Sequence, residues 1–289
     1  MDGGSSTPDP AIWRGVQQRL FQQIRQTDRD ARSFMRETDE IHLHELLASL
    51  SDFKEMVDEL QPFWKVEELR GELKRIHHLL HVLERLETVW QTRQALVALA
   101  HTEEDGFRAV LEQIVTELRP VCDASAKRAV RAAGRLVERN WQKKMARAIE
   151  ALPGRKRVQP AKHPKMDAQW VAQRCQVRQQ AYQWALSRLQ GCALEEVAPL
   201  ARSARNALRA WCATERLFGI QSIEREKAMQ QEELLNEMVR QGTLCEELGY
   251  HAHLPAALIL QTRVAQKAVD AAAALGFSIG EEVVPSASM

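Results

Sequence analysis

Residues 124–150 read ASAKRAVRAAGRLVERNWQKKMARAIE. Lys127, Arg131, Arg135, Arg139, Lys143 and Arg147 recur every four residues, and Arg128 and Lys144 widen the row. Residues four apart are neighbours on an α-helix. The spacing therefore predicts a single helix over 124–150 carrying a cationic ridge that winds slowly round its axis. Only Glu138 and Glu150 oppose the charge inside it. Like charges at this spacing repel one another, so the ridge calls for an anionic partner or for an acidic surface of the protein itself. The stretch that follows, 152–167, adds Arg155, Lys156, Arg157, Lys162 and Lys165 and holds Pro153, Pro160 and Pro164. It has almost no apolar residue and reads as the clearest linker in the chain.

Outward from this stretch the charge is strongly polarised. Between Arg119 and Arg216 there are 21 Lys or Arg against seven Asp or Glu, a local charge of +14. The whole chain carries +1, which leaves −13 for the remainder. Such polarity suits either a polyanion site or a basic face that meets an acidic one. With 289 residues the chain can form one large domain or two small ones. Two tyrosines and few β-branched runs disfavour a large sheet. The five cysteines, Cys122, Cys175, Cys192, Cys212 and Cys245, form no CxxC pair and read as reduced, mostly buried thiols. The acidic start MDGGSSTPDP lacks the basic and apolar regions of a signal peptide. No apolar run reaches the roughly 18 residues of a membrane span. Together these features predict a cytoplasmic protein without a membrane partner.

Apolar residues at helical spacing run through most of the chain and predict an all-α fold. A first helix spans Ile12–Arg36. A second, Glu40–Leu60, is entered through the cap Thr38-Asp39. A third runs from Val66 to Trp90 and a fourth from Gln94 to Leu118, with a break at Asp105-Gly106 and Pro120 separating it from the basic helix. Beyond the linker, helices are expected over Ala168–Leu189, Leu194–Phe218, Ser222–Leu248 and Pro255–Leu275. An offset near 157 residues aligns Trp13 and Gln22-Gln23 with Trp170 and Gln179-Gln180. The expected organisation is two helical-bundle halves related by an internal pseudo-repeat, 12–151 and 168–275, joined by the basic linker, with tails at 1–11 and 276–289.

This pattern resembles the CHAD domain, an α-helical domain of two bundle halves, over about residues 12–275. The run from Asp39 through His42 and His44 to Phe63 resembles the first histidine helix of that family, and Glu68–Leu86 resembles the helix and turn after it. Leu194–Phe218 is similar to the second His/Arg helix, and Leu248-Gly249-Tyr250-His251-Ala252-His253 to the second turn. Departures are plain: Glu45, Ser49, Leu50 and Asp52 stand where the first helix would carry arginines, and Pro199 stands where the second would carry its histidine. The resemblance implies inorganic polyphosphate as ligand, carried over to Arg202, Arg205 and Arg209, which still match. The row Lys127, Arg131, Arg135, Arg139, Lys143 and Arg147 is added to the polyanion site on charge alone.

Arginine forks suit phosphate oxygens, and Arg202, Arg205 and Arg209 share a helix face at i, i+3 and i+7. A solvated face or an intramolecular partner is the plainer reading of both groups. His77 and His81 stand four apart, as two ligands of one metal would, but without an HExxH pattern, so no metal or cofactor is expected; hydrogen-bonded histidines near the core are the plainer reading. His42 and His44 point to different sides of their helix. The tryptophans Trp13, Trp64, Trp90, Trp141, Trp170, Trp184 and Trp211 read as core. Trp141 alone is interleaved with cations as a single-strand binder would need. No nucleophile–base pair, glycine-rich phosphate loop or carboxylate dyad is detectable, so the chain reads as non-catalytic. Three functions stay open: a polyanion-binding module, a helical scaffold or adaptor for a protein partner with a degenerate anion site, and a nucleic-acid binder.

Overall fold

A computed structural model describes residues 9–63, 70–151 and 166–279. Most of the linker, the outer parts of both tails and Trp64 lie outside the described residues. The described residues are all-α, with no strand among them. The helices are α1 (Pro10–Arg36), α2 (Glu40–Glu59), α3 (Arg70–Thr102), α4 (Asp105–Glu138), α5 (Trp141–Ala151), α6 (Ala168–Ser187), α7 (Val197–Phe218), α8 (Ile223–Gln230), α9 (Glu232–Tyr250) and α10 (Pro255–Ala274). Short 3-10 turns occupy Gln61–Phe63 and Leu194–Glu196.

Several boundaries differ from the sequence reading. Nothing between Trp90 and Gln94 disfavours helix, and α3 runs unbroken to Thr102. The chain turns at Glu103-Glu104 and not at Asp105-Gly106. Asp105 instead opens α4, where an acid suits the positive end of the helix dipole. Pro120 lies inside α4 and does not end it. It is exposed, where water can take up a carbonyl left without its donor. The expected helix 222–248 is two, α8 and α9, with Gln231 between them.

The most consequential difference falls in the basic stretch, which is not one helix. A turn at Arg139-Asn140 separates α4 from α5, and Asn140 adopts φ 52. Asparagine tolerates this left-handed region better than most side chains. The reason for the turn lies in the apolar residues. Ala129, Ala133, Val137, Trp141, Met145 and Ile149 also recur every four, and all are buried. In a straight helix of 3.6 residues per turn, each step of four advances by about 40°. Across the whole row the advance would approach 200°, carrying Met145 and Ile149 to the side opposite Ala129. The turn resets that phase, so both apolar triplets face inward. Trp141, Met145 and Ile149 are fully buried, each contributing about 2 kcal/mol of transfer free energy.

Contacts divide the chain into two compact units that each draw on segments from both sides of the linker. The first comprises the chain up to Glu87, Ser125–Arg178 and Arg209–Ser222. In it, Leu20, Ile24 and Phe34 of α1 and Leu43, Leu46, Leu50 and Phe53 of α2 are fully or almost fully buried. Gln23 and Thr27 both donate to the Ser49 carbonyl, at 2.7 and 3.1 Å. Asp39 caps α2 as expected, accepting from the His42 backbone N–H at 2.8 Å. α5 is tied to α1 by Gln17 Nε2, which donates to the Ile149 carbonyl at 3.1 Å, and Trp141 meets Phe53 edge-on at 5.4 Å.

The second unit comprises Thr88–Ala124, Gln179–Leu208 and the chain from Ile223 onward. Its core joins Leu96 and Leu99 of α3, Leu111 and Ile114 of α4, Leu244 and Leu248 of α9, and Leu260 and Val264 of α10. Gly242 lets α9 approach α7: a Cβ there would lie 2.5 Å from the Ala198 Cβ.

Candidate functional site

Lys127, Arg128, Arg131 and Arg135 on α4, Arg139 in the turn, and Lys143 and Arg147 on α5 are all exposed. Each member of the four-residue row precedes a member of the buried apolar row by two positions. Two residues correspond to about 200° round a helix, so the cations occupy the face opposite the core on both helices. Neighbours in the row are spaced by about 6 Å along each helix axis. Among the described residues, none of these seven side chains forms an ion pair. Lys144 does: its Nζ lies 3.0 Å from Glu72 Oε1, which Arg75 also approaches at 2.7 Å. Burial opposes the charge on Glu72, but the hydrogen bonds from Arg75 and Lys144 outweigh it and hold the carboxyl below its ordinary range.

Arg202, Arg205 and Arg209 differ from this row. Arg202 and Arg209 are half-buried. Arg205 is 7% exposed, and its Nη1 donates to Asn236 Oδ1 of α9 at 3.2 Å. Arg202 and Arg205 belong to the second unit, whereas Arg209 and the row from Lys127 to Arg147 belong to the first. The three do not form an evenly solvated face.

Other cations of the first unit are consumed by acids. Glu59, near the end of α2, is fully buried. Arg174 Nε of α6 reaches its Oε2 at 2.7 Å, Arg178 Nε bonds its Oε1, and the Thr214 hydroxyl donates to Oε1 at 3.3 Å. Arg178 also pairs with Glu55 at 3.4 Å. Arg216 of α7 pairs with Asp52 of α2. Beside this cluster Trp170 meets Phe63 and Phe218 edge-on, at 5.0 and 5.7 Å. The sequence reading missed the network. Its signal was present: Glu55 and Glu59 stand four apart, and so do Arg174 and Arg178, a spacing that lets two facing helices match charge for charge. Asp52, read as a position that had lost its cation, is a partner for one.

Between those arginines lies Cys175. Burial, together with the nearby carboxylates of Glu215 and Glu59, pushes its thiol up to about 11, far from the range of a reactive nucleophile. None of the five cysteines is in a disulfide.

The histidines are dispersed. His42 Nδ1 lies 2.8 Å from Asp39 Oδ1, and His44 Nε2 lies 3.4 Å from the buried Glu87. Glu37, Asp39 and His42 bring one ligand atom each within 4.8 Å of the others. Glu37 and Asp39 are exposed, and the geometry of Asp39 and His42 is that of a helix cap. The backbone N–H of His42 is the main group holding the Asp39 carboxyl below its ordinary range. His77, His78 and His81 are exposed rather than packed near the core, because Leu79, Leu80 and Leu83 take the buried side of that turn of α3. Of the tryptophans, Trp13, Trp141 and Trp211 are buried and Trp90 and Trp170 half-buried. Trp184 departs from its expected core role: it is 62% exposed, with the Arg188 guanidinium 5.3 Å from its ring centre.

No described helix is long and apolar enough to cross a membrane. The chain matches no protein-family model, no curated protein and no solved structure in comparisons with each.

Proposed function

We propose that the protein is a non-catalytic helical module that binds a linear polyanion through the outward cationic row of α4 and α5. Inorganic polyphosphate is the ligand that the CHAD-like sequence pattern implies. The observation that carries this reading is a contrast within one unit. Arg174, Arg178, Arg216 and Lys144 are each met by a carboxylate, while seven cations between Lys127 and Arg147 face solvent with no carboxylate partner among the described residues. Guanidinium groups predominate among the seven and suit phosphate oxygens. The reading rests on α4 and α5 and not on Arg202, Arg205 and Arg209, which are less exposed. Thiols without disulfides fit a reducing compartment, and we place the module in the cytoplasm.

The test is equilibrium binding of end-labelled polyphosphate across a salt series. Taking the single-strand slope of about −0.7 per contact as a guide, five contacts lose roughly 100-fold in affinity between 50 and 200 mM salt. Binding that is insensitive to salt, or absent at 50 mM, overturns the reading.

A second reading is favoured by the acid–arginine network itself. Part of the charge asymmetry is discharged inside the protein, as in a helical scaffold whose basic segments dock on acidic ones and whose surface serves a protein partner. In that case the α4–α5 row would accept an acidic protein surface and leave polyphosphate unbound.

A further inference from the structure

The exposed side chains of residues 125–150 are Lys127, Arg128, Arg131, Arg135, Glu138, Arg139, Asn140, Lys143, Lys144, Arg147 and Glu150, and none is aromatic or apolar. The stretch contains one aromatic residue, Trp141, the side chain that would have offered a nucleobase a stacking platform. It is fully buried, held edge-on against Phe53 at the start of α5. Single-strand binders combine a cationic track with aromatic platforms; the described side chains of residues 125–150 supply the first without the second.

Resting on the polyanion reading above, we infer that the α4–α5 face recognises charge along a chain and is blind to bases. Its ligand class is a flexible polyanion held through its anionic groups alone, in the manner of a phosphate chain. A single-stranded nucleic acid gains nothing at this face from its bases. Discrimination among polyanions follows the number of charges that can lie along the row, with successive cations spaced by about 6 Å on each helix.

The experiment compares a labelled 20-mer of oligothymidylate with an abasic phosphodiester of the same length at 50 mM salt. Each is titrated against the full chain and against a variant carrying Arg128→Glu, Arg131→Glu and Arg135→Glu. These three side chains are exposed, so the variant should fold, and its melting temperature is checked beside that of the parent. The affinity removed by the triple change is expected to agree within about threefold for the two polymers. One stacked base is worth about a factor of five or more, and several would multiply. A loss at least tenfold greater for the oligothymidylate would show that bases are read at this face and would overturn the inference. If neither polymer nor polyphosphate binds the parent chain at low salt, the polyanion reading itself fails and the inference falls with it.

Discussion

Arg174 and Arg178 of α6 and Arg131 and Arg135 of α4 share one sequence pattern, two arginines four residues apart on a helical segment of the first unit. Their surroundings differ completely. The α6 pair faces α2, where Glu55 and Glu59 stand at the same spacing, and it is held by them. The α4 pair lies opposite the apolar row of its own helix and is exposed. The spacing of cations therefore says only that they share an edge of a helix. Whether that edge is structural or available to a ligand depends on what the facing helix offers. A matched pair of acids absorbs the charge, and bare solvent leaves it for something else to neutralise.

Glu59→Gln tests the structural side of this comparison and carries the largest expected effect on stability. Removing one member of a buried charge cluster costs about 3–5 kcal/mol. Arg174 and Arg178 are 31% and 24% exposed and can turn partly to water, so a loss of about 3 kcal/mol in urea unfolding is expected, at the lower end of that range. Polyphosphate affinity, measured where the variant remains folded, should not change. An unchanged unfolding midpoint would mean that the α6 arginines are not structural, and the distinction between the two pairs would collapse.

Much of this fold was legible in the residues. The Asp39 cap, the inner stripes of α1 and α2 and the all-α class follow from local spacing, which physics reads over one or two helical turns. Pro120 misled because a single exposed proline can be accommodated when water replaces the lost bond. The division of the basic stretch was missed although its signal was there. Two interleaved rows of period four cannot both keep their faces over 23 residues of straight helix, and an Asn stood where a break would serve. The pairing of Glu59 with Arg174 and Arg178 was the hardest to see, because it joins residues 115 and 119 positions apart. Nothing local distinguishes an arginine that will meet a carboxylate from one that will meet solvent.

A smaller effect sharpens the boundary between the two classes of cation. Lys144 belongs to the basic stretch yet serves Glu72. Glu72 has a folded pKa held below its unfolded value of about 4.5, so the carboxyl adds stability above the unfolded value and loses it as pH falls through the folded one. Lys144→Met removes one of the two partners that hold the pKa down. Since Lys144 is 52% exposed, the cost at neutral pH is expected to be about 0.5 kcal/mol. The acid-unfolding midpoint should shift slightly upward in pH, with little change in polyphosphate binding. A clear loss of affinity without a shift in the acid midpoint would place Lys144 with the ligand row.

The salt dependence of polyphosphate binding in the Arg128→Glu, Arg131→Glu, Arg135→Glu variant tests the central claim most directly. With about 0.7 lost per contact, the slope of log affinity against log salt should become shallower by about 2 relative to the parent chain, while the melting temperature stays unchanged. An unchanged slope and affinity in a folded variant would contradict the account and would leave these cations as an ordinary solvated face.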